Sequence, residues 1–275
     1  MTQFIEMDDF RQVFVVMKNE IIKTLRAKKA LLYVILVFGV LALQTVLPYA
    51  VGDGLKGEAG SIFGGYVSYV QLLIVMTATL FGSYTIVSEF EERTALVIFT
   101  RPIKKSSVFF GKFLSCYMIG VIIMAAYYLI SAVIVFAVTD NFVNNIWKSF
   151  IVMLGYLLAC TGVSMLISSF FKKGGTCAVM TFITILLFLS IISGVLSMSG
   201  VDPWFMMDQA SGAITNCIPE YVESTNAALE SAGTAMGMDL GSIEVADWVK
   251  NTGVLIAWGI VTLAISFLKF IRKEF

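Results

Sequence analysis

Apolar residues fill six long windows of the chain, and charged residues fall between them. No Asp, Glu, Lys or Arg occurs within residues 30–52, 59–88, 113–139, 149–171, 174–201 and 251–268. A transmembrane helix needs about 20 apolar residues, and a charge at the bilayer centre costs about 2.5–3.5 kcal/mol on insertion scales. The pattern therefore predicts an all-α polytopic membrane protein with six transmembrane helices, which we number spans 1 to 6.

Residues 1–29, which precede span 1, have a different pattern. Apolar side chains recur there at helical spacing, and basic side chains occupy the remaining arc; the apolar positions are Phe10, Val13, Phe14, Met17, Ile21 and Leu25. This periodicity predicts an amphipathic helix. Two interpretations stay open: the helix lies in the headgroup layer with its bases on anionic lipid, or it also contacts a cytoplasmic partner.

Two connections are long enough to form structures of their own. Residues 89–112 contain three acids, five bases and an apolar run from Leu96 to Phe99, and a helix boundary is expected at Arg101-Pro102. We predict an ordered cytoplasmic hairpin there, the alternative being a merely solvated connection. Residues 202–250, which we call the acidic segment, hold eight acids between Asp202 and Asp247 and no base before Lys250, and they predict short helices outside the membrane.

The composition fits a membrane protein, and the charge distribution orients it. Hydrophobic residues make up 58% of the chain, and the mean hydropathy is +0.88. Sixteen of the 19 bases fall on one predicted face, and only Lys56, Lys148 and Lys250 fall on the other. The positive-inside rule then predicts a multi-pass protein of the plasma membrane with both termini in the cytoplasm. Trp147, Trp204 and Trp248 lie near the predicted outer boundary, where aromatic residues favour the interface.

Several functional classes are disfavoured by what the sequence lacks. The chain has no histidine, which removes His-based zinc sites and Ser-His or Cys-His catalysis. The spans contain no ionisable carboxylate or base, which argues against a proton- or sodium-driven carrier. No phosphate-binding loop is present, since Phe follows Gly111-Lys112 where Ser or Thr is required. We expect no catalytic residue, no metal site and no cofactor in this chain.

Residues 91–112 resemble the motif between spans 2 and 3 of ABC transporter permeases of the ABC-2 type. That motif has an acidic run, Gly-Thr, apolar residues, a proline, a base three residues later, and a final Gly-Lys. The matching residues here are Glu91-Glu92, Thr94, Leu96 to Phe99, Pro102, Lys105 and Gly111-Lys112. Arg93 departs from the motif, because it stands where the family has Gly. The closing "FLKFIRKEF" is also similar to the end of family members, with Glu274 where Asp is common.

The resemblance implies partners and sites. In such permeases a coupling helix between spans 2 and 3 docks on a separate ATPase, which carries ATP and Mg, and two permeases pair around the transport path. The residues expected at the ATPase are Glu89, Glu91, Glu92, Arg93, Thr94, Arg101, Pro102 and Lys105. The residues suggested for the path are Gln71, Phe81, Phe182 and Phe188. Expected partners are the ATPase, a second copy as a homodimer and membrane lipid, but no nucleic acid.

The sequence therefore predicts the permease subunit of an ATP-driven exporter, which is not itself an enzyme and moves an amphipathic or hydrophobic substrate. The alternative is a non-pumping six-span sensor, immunity or scaffold protein. An intramembrane enzyme with a reactive Ser or Cys is a third hypothesis. Met206, Met207, Met236 and Met238 could bind copper(I) through their thioethers, although apolar packing explains them as well.

Overall fold

A computed structural model describes residues 2–52, 54–55, 57–91, 104–171, 173–238 and 241–272, with backbone only for residues 2–9 and 88–91. The described residues form helices and connecting loops without a strand. Six helical stretches are long and apolar enough to cross a membrane: Lys28–Val51, Ala59–Val87, Lys105–Thr139, Ile146–Ser168, Gly174–Met198 and Trp248–Arg272. The prediction of an all-α protein with six spans is confirmed.

The N-terminal helix, Thr2–Arg26, is separated from span 1 by a single residue. Ala27 has an extended backbone (φ −73°, ψ 134°), which ends one helix and begins the next. Met17 is buried and Ile21 packs against the core, whereas Phe10 and Phe14 are exposed. The helix therefore contributes one side to the bundle and leaves another side uncovered.

Spans 2 and 5 are not continuous α-helices. Span 2 is built from Ala59–Val67, Val70–Thr77, a π-helical turn at Ala78–Gly82 and Ser83–Glu91. Span 5 has a similar π-helical turn at Thr184–Phe188, between Gly174–Ile183 and Leu189–Met198. Single π-helical turns inside α-helices are rare and are frequent at functional sites.

Span 3 is longer than its apolar window. Its helix begins at Lys105, ahead of the charge-free stretch that opens at residue 113, and ends at Thr139, where the next residue, Asp140, has a left-handed backbone (φ 54°). The first two turns of this helix, residues 105–112, therefore hold basic and aromatic residues that precede the charge-free stretch.

Spans 2 and 4 form the centre of the bundle. In their most apolar stretches 61% and 67% of residues are buried, against 22–28% in the other four spans. Spans 1, 3, 5 and 6 surround them and leave apolar side chains on the outer surface, as expected for a protein whose solvent there is lipid.

The backbone of span 2 accepts hydrogen bonds from side chains of three neighbouring spans. Tyr33 of span 1 donates to Leu73 O (2.8 Å), and Tyr127 of span 3 donates to Tyr66 O (2.9 Å). From span 4, two serines donate: Ser164 to Ala78 O (2.7 Å) and Ser168 to Ser83 O (2.9 Å). A carbonyl oxygen has two lone pairs, so each of these oxygens can also accept a bond within its own helix.

Small residues let spans 4 and 6 pack closely. Gly162 lies so near span 6 that an added Cβ would be 3.1 Å from Gly259 O and nearer still to Thr262 Oγ1. Gly259 in turn faces Leu158, and Gly155 faces Leu255. Close approach of this kind is how helices associate in lipid, where no hydrophobic force drives them together.

The acidic segment folds over the end of the bundle opposite the N-terminal helix. It contains the short helices Met207–Ser211 and Ala213–Asn216 and the longer Pro219–Met236. The buried Ser149 Oγ donates to Ile214 O (2.6 Å), and Trp258 Nε1 donates to Phe205 O (2.8 Å). Trp147 and Trp248 lie edge to face with ring centroids 5.1 Å apart, so two of the predicted belt tryptophans meet at this end.

Replacement of Gly162 by alanine should destabilise the bundle by about 1–3 kcal/mol, because spans 4 and 6 must separate to admit the methyl group. Gly253→Ala is the matched control, since a Cβ at Gly253 of span 6 meets nothing within 4 Å. Thermal unfolding of both variants in mild detergent, followed by tryptophan fluorescence, measures the difference. Equal midpoints for the two variants would contradict the close packing.

Candidate functional site

The described residues on either side of the predicted ATPase-binding segment lie at the basic end of the bundle, where the N-terminal helix, the end of span 2 and the start of span 3 come together. Glu92, Arg93, Thr94, Arg101 and Pro102 fall outside the described residues, and Glu89 and Glu91 are described in backbone only, within the helix Ser83–Glu91. Lys105 is the first residue of the span 3 helix. The described structure therefore supplies the two anchors of the predicted hairpin.

A buried lysine joins these two anchors to the N-terminal helix. Lys112 of span 3 is only 1% exposed, and its Nζ lies 3.0 Å from Glu20 Oε1 on the N-terminal helix. The same Nζ donates to Thr85 O of span 2 at 2.8 Å. We call Lys112, Glu20 and Thr85 the lysine junction. A buried ammonium group is costly unless it is paired and hydrogen-bonded, and both conditions are met here.

The residue before this lysine allows the N-terminal helix to approach. Gly111 faces that helix, and an added Cβ would lie 2.8 Å from Val16 Cβ and 2.9 Å from Val13 O. Because one of these atoms belongs to the backbone, the helix itself would have to move. Gly111 and Lys112, the Gly-Lys pair of the resemblance, thus have a shared structural role: one permits the close contact and the other fixes it.

An aromatic cluster extends the anchoring to spans 4 and 6. Phe109 of span 3 packs on Phe267 and Phe270 of span 6, with ring centroids 5.4 and 5.6 Å away. Ile86 of span 2 and Met165 of span 4 complete this buried cluster. Both ends of the segment between Glu91 and Lys104 are therefore held by tightly packed side chains.

Tyr84 connects span 2 to spans 1 and 5 at the same level. Its ring lies under Lys29 Nζ, 3.7 Å from the ring centroid, which is a close cation–π contact. The ring also covers Gly174 at the start of span 5, where a Cβ would collide with it. Together with the lysine junction and the aromatic cluster, this gives every span a contact with at least one other span at this end.

The four residues suggested for a transport path have separate surroundings. Gln71 Nε2 donates to Ser211 Oγ of the acidic segment at 3.0 Å. Phe81 is buried and packs edge to face on Tyr33, with centroids 5.5 Å apart. Phe182 is half-buried against the core, and Phe188 is 54% exposed on the outer surface of span 5. Phe81 and Phe188 each lie in one of the two π-helical turns.

Glu20 and Thr85 are functional candidates that the sequence patterns did not identify. The helical spacing could have identified Glu20, because it follows the buried Met17 by three residues and so lies on the face of the N-terminal helix that packs on the bundle. For Thr85 the backbone carbonyl is what matters, and no side-chain pattern reports which carbonyl will accept a bond. Lys112 was identified as part of the Gly-Lys pair of the resemblance, but nothing in the sequence predicted that it is buried.

The described residues offer little chemistry beyond packing and charge. They contain no group of three or more Cys, Asp or Glu side chains placed to hold a metal ion. The four cysteines are unpaired thiols and are all buried. Burial raises the pKa of the Cys217 thiol, which lies outside the spans, to about 11, so it stays protonated near neutral pH.

Replacing Lys112 by methionine should lower the free energy of unfolding by about 3 kcal/mol, because Glu20 and Thr85 O lose a charged partner. Glu20→Met should cost less in the Lys112→Met background than in the wild type, since the two side chains act as a pair. SDS titration in mixed micelles measures all four proteins of this cycle. Lys18→Met, at an exposed base of the same helix, serves as the control. Additive losses would show that the pair is not coupled.

Comparison with known proteins agrees with the resemblance seen in residues 91–112. The family model described as "ABC-2 family transporter protein" matches residues 15–268. No curated protein matches the chain significantly. The family match covers the N-terminal helix from residue 15, spans 1 to 5, span 6 as far as residue 268, the lysine junction and the acidic segment. This chain therefore belongs to the ABC-2 family of transporter proteins.

Proposed function

We propose that this chain is the permease subunit of an ATP-binding-cassette exporter that moves an amphipathic or hydrophobic substrate out of the cytoplasm. Two copies would form the transport path, and ATP and Mg would be bound by a separate ATPase. The chain would lie in the plasma membrane with both termini in the cytoplasm. The observation that carries the proposal is the family match, joined to the anchoring of the predicted hairpin at both of its ends.

Family membership defines part of this function. The chain is a multi-pass membrane permease subunit, and such subunits are not catalytic. Membership also implies an ATP-binding-cassette ATPase as a partner in general. The energy for transport then has to enter through a contact between this chain and that ATPase.

The lysine junction supports the segment between Glu91 and Lys104 as that contact. An ATPase can change the state of a permease only if the two states make different contacts with it. A flexible connection would absorb the movement of the ATPase. Here the segment is attached to helices that are fixed by Lys112, Phe109 and Gly111, so a displacement of the predicted hairpin would be passed to spans 2 and 3 and the N-terminal helix.

The position of span 5 beside the central span 2 supports its outer face as the surface where two copies pair. Large apolar side chains cover this face from one end of the span to the other: Val179, Leu187, Phe188, Ile191, Ile192 and Val195 are 46–60% exposed. The first half of span 5 packs against the π-helical turn of span 2. A partner seated on this face would therefore be close, through one layer of helix, to the centre of the bundle.

The interior of the spans supports a substrate without strong charge. Apart from Lys112, which is paired, the described residues of the spans between their flanking bases carry no ionisable Asp, Glu, Lys or Arg. A path lined by such helices would provide apolar contacts, hydroxyl groups and amide groups. Those groups suit an amphipathic or hydrophobic molecule better than a small ion.

Purification of the chain from mild detergent should retain an ATP-hydrolysing partner, and Glu92→Arg should weaken that association about tenfold by reversing a charge at the contact. Pro102→Ala should retain the partner but reduce its stimulation by the permease. Glu223→Arg is the matched control, because it reverses an exposed acid at the opposite end of the bundle. Well-folded wild-type protein without an ATPase would instead favour the sensor, immunity or scaffold alternative.

Cysteine labelling tests the orientation of the chain in the membrane. The four native thiols are at most 3% exposed, so they should add little to the labelling of an introduced cysteine. A membrane-impermeant maleimide applied to intact cells should label Ser231→Cys in the acidic segment. Lys18→Cys on the N-terminal helix should react only after the cells are permeabilised. Both positions are exposed, so access across the membrane alone decides the outcome. The reverse result would invert the proposed topology.

A further inference from the structure

A cavity of about 400 Å³ lies beside the lysine junction, between the N-terminal helix, the bend at Ala27 and span 2. Four residues of span 2 form one side: Leu80, Phe81, Tyr84 and Thr85. The other side is formed by Glu20, Lys23, Thr24, Ala27, Lys28 and Lys29. The cavity is thus basic toward the end of the bundle and apolar toward its middle.

The charge of the cavity suits an anion. Three lysines line it, and Glu20 is the one acid among the described lining residues. The carboxylate of Glu20 is already held by Lys112 Nζ at 3.0 Å, so it offsets a charge outside the cavity. Lys29 lies over the ring of Tyr84, which holds its ammonium group at the cavity without neutralising its charge.

The position of the cavity suits a lipid. Lys28 and Lys29 begin span 1, which places them at the level of the phospholipid headgroups. One turn further into span 1, Leu31 and Leu32 are 61% and 64% exposed, and Leu80 of span 2 is 36% exposed. A molecule with its phosphate among the lysines would therefore have apolar surface beside it for acyl chains.

We propose that this cavity binds the headgroup of an anionic phospholipid, with Lys28 and Lys29 contacting the phosphate and the chains lying along Leu31 and Leu80. Basic pockets between transmembrane helices recognise such headgroups through charge and shape together. A lipid in this site bridges the N-terminal helix to span 2 at the bend at Ala27, next to the lysine junction. Binding at one defined cavity distinguishes the proposal from a general attraction of anionic lipid to an amphipathic helix.

Native mass spectrometry of the full chain, with phosphatidylglycerol added to the detergent, tests the site. Wild-type protein should bind one lipid per chain above the non-specific background. Lys28→Gln/Lys29→Gln should bind it roughly thirtyfold more weakly, since each base near the membrane surface contributes about one kcal/mol. Arg11→Gln/Lys18→Gln removes the same charge from exposed positions of the N-terminal helix outside the cavity, and this variant should bind like the wild type.

Two further ligands separate the sources of the phosphate group. Phosphatidylcholine should show no specific binding, and inorganic phosphate should neither bind nor compete at the same concentrations. Competition by inorganic phosphate would replace the lipid site with a free-phosphate site. Equal weakening in the two double variants would overturn the proposal and leave only a general electrostatic attraction. Unfolding midpoints of both variants, measured in parallel, show whether either has lost its fold.

Discussion

The structure depends on hydrogen bonds that other helices donate to the backbone of span 2. In lipid the hydrophobic effect does not hold helices together, so close packing and polar contacts must do it. Side chains from spans 1, 3 and 4 reach the carbonyls of span 2 at Tyr66, Leu73, Ala78, Ser83 and Thr85. These acceptors run along most of the helix. Each of these three spans is therefore held at a defined height along span 2, and span 2 cannot shift without breaking bonds to all three.

Much of the fold could be predicted, because its causes are local. Charge-free stretches of about 20 residues have one stable arrangement in a bilayer, and all six predicted spans are present as helices. The central position of spans 2 and 4 could not be read from hydropathy, since a core helix and a lipid-facing helix are equally apolar. Gly155 and Gly162, together with the serines of span 4, carried that information as a stripe of small residues. The π-helical turns left no recognisable pattern.

The candidate site was predicted less completely, and the reason is long-range contact. The motif from Glu91 to Lys112 could be identified by spacing, but what Gly111 and Lys112 touch is decided by a helix some 90 residues earlier in the chain. A sequence counts Lys112 as one more positive charge near the membrane. Only the structure shows that it is buried and has partners on two other helices. Gln71 and Phe188 were suggested for the path by the family resemblance alone. In the structure Gln71 contacts the acidic segment, whereas Phe188 lies on the outer surface of span 5.

The lysine junction also explains why a charged residue occupies position 112, where burial of an apolar side chain would cost less free energy. A leucine at position 112 would bury surface against the N-terminal helix at many relative heights and rotations. A lysine favours the arrangement in which Glu20 Oε1 and Thr85 O are both within reach of one nitrogen atom. Gly111 removes the side chain that would keep that helix at a distance, so contact and register are fixed by adjacent residues. Because Thr85 lies near the end of span 2, the same nitrogen atom ties the start of the predicted hairpin to its end.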